Sequence, residues 1–138
     1  PYTKFFCKQA FEKLEYGILN NDYQSIVLGS LYSGLGFGNS STTLGHALSY
    51  VFSNEGYSHG HALAFTTLAA HKFNQSIYYS SFKNLISKLN FESISLEQNF
   101  DTAAKQILTD KKHLDNNPVE ISHSDIVDLL RIICNNEF

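Results

Sequence analysis

Apolar residues recur at three- and four-residue steps over most of the chain, the period of a helix that buries one face. Residues 4 to 19 place Phe6, Ala10, Leu14 and Ile18 on one stripe, with Lys8, Glu12, Lys13 and Glu15 off it. Asn20-Asn21-Asp22 supplies a stop and a fresh N-cap. Over 23 to 36, Ile26, Val27, Leu28, Leu31 and Leu35 are apolar almost all round, which predicts a buried helix. Its small residues Gly29, Ser30, Ser33 and Gly34 suit close helix packing. Gly36-Phe37-Gly38-Asn39 breaks that helix.

Ser40 to Thr43 can cap a third helix that carries His46 and runs to about Phe52. After the turn Ser53-Asn54-Glu55-Gly56, a fourth starts near Ser58 and continues to about Lys72. Ser80 to Leu89 is a fifth. Ser95-Leu96-Glu97-Gln98 matches a capping box that opens a sixth, with Phe100, Ala103, Ala104, Ile107 and Leu108 in register. Asn117-Pro118 marks a loop, and Ser122 to Cys134 closes the chain with Ile126, Leu129, Leu130 and Ile133 inward. Alternation of apolar and polar residues never persists, so no strand is predicted. The expectation is an all-α domain of about seven helices.

Composition narrows the partners. A chain of 138 residues, 43% hydrophobic and 17% charged, can bury a core as one domain over 1–138. A net charge of −3 offers no basic face for nucleic acid, and no apolar run reaches the length of a membrane helix. The start Pro1-Tyr2-Thr3-Lys4 has no leader pattern, which points to a cytoplasmic protein. The absence of methionine, and a first residue already within a predicted helix, point to a fragment of something longer. Cys7 and Cys134 lie on predicted amphipathic helices and read as small buried hydrophobes.

Candidate chemistry sits in Gly45-His46-Ala47 and, thirteen residues after His46, His59-Gly60-His61. Two imidazoles from adjoining segments are the raw material of a metal site. His46 lies about 10 Å above the end of its helix, a span that the extended connection 53–58 can climb back. Gly45 and Gly60 would leave space beside each ring. The same pair also reads as ordinary polar residues at helix starts. His71, His113 and His123 read as surface or helix-end residues. Gly34-x-Gly36-x-Gly38 lies between helices rather than after a strand, which argues against a phosphate loop.

Together with Gly38-Asn39-Ser40-Ser41, Leu44-Gly45, Ala62, Ala64 and Phe73-Asn74, these residues make the stretch 34 to 74 resemble the metal-binding region of the iron-containing (group III) alcohol dehydrogenases. The resemblance implies the C-terminal helical domain of the dehydroquinate synthase-like fold. It also implies that His46 and His59 match the third and fourth ligands of a divalent cation, Fe2+ or Zn2+. The family's first two ligands, in an Asp-x-x-x-His pattern, have no counterpart, since none of the aspartates has a histidine four positions on. NAD or NADP would be bound mainly by an N-terminal domain that this chain lacks, and the substrate would be a small alcohol or carbonyl compound. The run from Asn39 to Ser49 resembles branches acting on sugar acids or phosphonate aldehydes.

Departures from the family pattern qualify this. Tyr50 stands where the dehydrogenases carry another histidine, and it reads either as a hydrogen-bond donor and proton relay or as a rim tyrosine. His61 takes the place of the synthase's glutamate and reads either as a proton shuttle or as an exposed first-turn residue. Asn39 and Thr43 keep positions that line the synthase's substrate cleft, whereas Thr42 replaces a functional histidine there. Three readings follow: a metal-dependent NAD(P) alcohol dehydrogenase or aldehyde reductase, a dehydroquinate-synthase-like lyase, and a helical interaction module without catalysis. A homo-oligomer is compatible with each.

Overall fold

The computed structural model describes residues 2–38 and 40–138. Among them are eight α-helices and no strand, so the chain is all-α. No helix among the described residues is long and apolar enough to cross a membrane. The chain divides into two compact units, Pro1–Ser41 and Thr42–Phe138.

The first unit is a helical hairpin of α1 (Tyr2–Asn20) and α2 (Tyr23–Phe37). Asn21 makes the corner in a left-handed conformation, φ 54°, and Asp22 caps α2 by accepting the backbone N–H groups of Gln24 and Ser25. The Ser25 hydroxyl also donates to Asp22, and this bond above all holds the carboxyl below the usual carboxylate range. Small residues set the separation of the two helices. A Cβ on Gly29 would stand 2.7 Å from Leu14 Cγ, and one on Gly36 would stand 2.7 Å from Cys7 Sγ.

Two expectations are corrected in this unit. α2 is not a buried helix: Tyr23, Val27, Leu28, Leu31 and Leu35 are exposed, and its buried residues are Ser25, Gly29 and Gly36. A single partner helix covers only one stripe, and here that stripe is the small-residue one. Cys7 is likewise exposed rather than buried, and both cysteines are free thiols. Burial pushes the half-buried Cys134 thiol upward.

The second unit holds α3 (Leu44–Asn54), α4 (His59–Phe73), α5 (Tyr79–Leu89), α6 (Phe100–Ile107), α7 (Lys111–Leu114) and α8 (His123–Asn135). α3 and α4 run antiparallel: Gly45 faces Thr67, while the rings of Tyr50 and His59 meet at 6.0 Å. Leu44, Leu48, Val51 and Phe52 of α3 pack into one core with Ala62, Phe65, Leu68 and Ala69 of α4. Ala103, Ala104 and Ile107 of α6 and Ile126, Leu129, Leu130 and Ile133 of α8 complete it.

The capping box expected at Ser95–Gln98 does not form. The Glu55 carboxylate, at the end of α3, accepts the N–H groups of Glu97 and Gln98 at 2.8 and 3.2 Å. With those donors taken, the segment stays irregular and α6 starts later, capped by Asn99. A reciprocal capping box forms instead at Ser122 and Asp125, at the start of α8. The extra helix is the short α7, capped by Asp110.

Candidate functional site

His46 lies in the first turn of α3, one turn before Tyr50, so both leave the same side of that helix. His59 opens α4, where Ser58 caps the helix by accepting the His61 N–H. The antiparallel pairing sets the His46 and His59 ring centres 5.4 Å apart. Gly45 contributes by contact rather than by open space. A Cβ there would stand 3.2 Å from the Thr67 Cα, so glycine permits the close approach of α3 to α4. Gly60, by contrast, has no atom within 4 Å of where its Cβ would lie.

A third imidazole joins the pair. His113 on α7 is buried, not on the surface, and its ring lies 6.0 Å from that of His46 with 12° between the planes. The Tyr50 ring is 5.7 Å from His113 and 6.0 Å from His59. His113 Nδ1 donates to both oxygens of Asp110, at 2.6 and 2.8 Å. The sequence signal was a short one: Asp110-x-x-His113 is an N-cap followed by a histidine on the first turn. A four-residue helix leaves no periodicity from which to place it.

Burial pushes the His46 imidazole below the usual histidine value, and the neighbouring His59 and His113 rings add to the effect. A protonated His46 would lose solvation and sit beside two other potential cations, so the neutral, electron-donating form is favoured. The ring nitrogens of His46 and His59, the Tyr50 hydroxyl and His113 Nε2 take no hydrogen bond from the described residues. Four aromatic rings thus meet in one place, with Tyr50 and His59 open to solvent. His123, by contrast, pairs with Asp101 at 3.3 Å, and His71 lies half-buried against Phe82.

The other candidates lie differently. His61 donates from Nε2 to the Glu92 carbonyl at 2.6 Å, and its ring contacts are with Tyr57, Phe65 and Phe91, none of which belongs to the cluster. That geometry makes it a tie between α4 and the segment after α5. Thr43 is the N-cap residue of α3, but its side chain makes no capping bond. Asn39 lies outside the described residues.

Two imidazoles side by side suit a borderline divalent cation such as iron(II) or zinc. Among the described residues, however, no three His, Cys, Asp or Glu side chains are placed to hold one ion. Compared with known proteins, the chain matches no family model, no curated protein and no solved structure.

Proposed function

We propose that this chain is the helical, metal-binding part of an NAD(P)-dependent alcohol dehydrogenase or aldehyde reductase of the iron-containing type, with a dehydroquinate synthase-like fold. The observation that carries the reading is the pairing of His46 and His59 at 5.4 Å on antiparallel helices, with no protein partner for their nitrogens among the described residues. Two imidazoles at this separation can each turn a nitrogen toward one divalent cation. The substrate class is a small alcohol or carbonyl compound, with sugar acids and phosphonate aldehydes as candidates.

In this reading His46 and His59 hold the cation, and the half-buried position of His46 keeps its ring neutral and available. A divalent cation held there would supply polarisation of the substrate oxygen, and a nicotinamide would supply the hydride chemistry. Tyr50, 42% exposed beside His59, would be a hydrogen-bond donor to the substrate. His61 is left out of the chemistry because its donor is already spent on Glu92.

The test uses the intact protein that contains this chain. Metal content and NAD(P)-linked turnover are measured with a panel of alcohols and aldehydes for the wild type, His46→Ala and His59→Ala. Both variants are expected to lose bound metal and turnover. Unchanged metal content and activity in both would reject the site, and a wild type that turns over no alcohol or carbonyl would reject the dehydrogenase.

A further inference from the structure

His59 stands on the exposed first turn of α4, so burial does nothing to fix its place. The turn that leads to it is equally bare: Gly56, at φ 104°, has no atom within 4 Å of where its Cβ would lie. A helix end in that position frays unless other bonds hold it. Here the bonds come from the irregular segment between α5 and α6. The Glu55 carboxylate accepts the N–H groups of Glu97 and Gln98 on separate oxygens, at 2.8 and 3.2 Å. The Tyr57 hydroxyl accepts the Ser95 N–H at 3.1 Å, and its ring packs edge-on against Phe52 with ring centres 6.4 Å apart. His61 Nε2 meets the Glu92 carbonyl at 2.6 Å. Glu55, Tyr57 and His61 are thus tied in order to 97–98, 95 and 92, the two stretches running in opposite directions. His59 lies between the last two ties.

We propose that segment 92–98 is a brace that holds His59 toward His46, with Glu55 as its main positioning residue and Tyr57 as its second. Neither side chain touches the cation or the substrate. Each fixes the backbone on the approach to His59, so the imidazole is in place before an ion arrives. Glu55 carries most of the effect, because a carboxylate bonded to two backbone N–H groups makes the stronger, charge-assisted kind of hydrogen bond. A glutamine there would offer one acceptor oxygen where glutamate offers two. The brace is gripped through its main chain, at the N–H groups of 95, 97 and 98 and the carbonyl of 92, so the side chains of Glu97 and Gln98 are free to vary. The inference rests on reading His46 and His59 as cation ligands, and not on which reaction the cation serves.

The test measures the affinity of the intact protein for cobalt(II), by visible absorption, and for zinc, by competition with a chromophoric chelator. Glu55→Gln keeps the side-chain volume, gives up one acceptor, and is expected to weaken binding of both ions about tenfold. Tyr57→Phe keeps the ring against Phe52, loses only the hydroxyl, and should weaken binding by a smaller factor. Ser122→Ala serves as the control: it removes the cap of α8 and should lower Tm while leaving both affinities unchanged. Equal losses in Ser122→Ala and Glu55→Gln would reduce the effect to general instability and overturn the proposal. Hydrogen exchange of the metal-free protein gives a second readout. The amides of His61 and Ala62, both bonded to Ser58, should exchange faster in Glu55→Gln, with residues 64–72 unaffected; unchanged exchange at those two amides would also overturn the proposal. A wild type that binds neither ion removes the cation reading and this inference together. A wild type that binds them, with Glu55→Gln binding equally well, keeps the reading and removes the inference alone.

Discussion

Replacing Gly45 by alanine tests the close approach that puts His46 beside His59. The added Cβ would stand 3.1 Å from Thr67 Oγ1 and 3.2 Å from Thr67 Cα. A hydroxyl can rotate away, but the Cα belongs to the α4 backbone, so relief requires α3 and α4 to part. Ordinary carbon contacts lie at about 3.5–4.0 Å, and an opening of about 0.5 Å already forfeits a quarter of the dispersion well at each contact along the seam. Overpacking of this kind costs about 1–3 kcal/mol. Alanine returns up to about 1 kcal/mol over glycine through helix propensity. The net is a destabilisation of about 1 kcal/mol, or a fall of about 4–8 °C in Tm for a unit of this size. Gly60→Ala is the counterpart, since nothing lies within 4 Å of its Cβ, and its Tm should stay level or rise. Thermal unfolding followed by circular dichroism at 222 nm reads both. A Gly45→Ala variant that melts at or above the wild type would refute the close-approach argument. Recovery of stability in Gly45→Ala/Thr67→Ala would show instead that the hydroxyl, not the backbone, sets the limit.

Other expectations follow from the same structure. Ile133→Ala removes a fully buried side chain of α8 and should cost about 2–5 kcal/mol by urea unfolding, whereas Leu31→Ser on the exposed side of α2 should stay within about 0.5 kcal/mol. The Ser122 hydroxyl, with its backbone N–H, holds the Asp125 carboxyl below the usual range. The capping box therefore stabilises α8 above the unfolded value of about 3.9, and that stability is lost as pH falls through the lower folded value. Ser122→Ala should be less stable than the wild type near pH 6, and the gap should close in acid; a gap constant down to pH 2 would count against the mechanism. Burial pushes His71 below its ordinary value, so the folded chain binds fewer protons than the unfolded one. Stability should drop as pH falls below about 6.5, and His71→Gln should flatten that slope in denaturant titrations.

Helix content was legible because periodicity is local. The stripe of Phe6, Ala10, Leu14 and Ile18 predicts a helix over 4–19, and α1 spans Tyr2–Asn20. The stop at Asn20–Asp22 became a left-handed residue and a cap. Where prediction missed, the competing interaction came from far along the chain. The Ser95–Gln98 box is locally sound, but Glu55, some forty residues earlier, claims its donors. The apolar wrap of α2 reads as burial, but the residues that meet α1 are its glycines and a serine. His113 carries no periodic signal, and a search for aspartate four residues before histidine passes over a spacing of three.

Residue order alone determines that the chain is helical, where most helices start and stop, and that His46 and Tyr50 share a side of α3. Those properties depend on contacts one turn apart, which any helix of this sequence makes. Tertiary structure decides which rings meet. Gly45 against Thr67 sets the distance between α3 and α4, and a four-residue helix after α6 swings His113 and its carboxylate partner against the pair. Such juxtapositions depend on how separate helices share a core, and no spacing along the chain encodes them.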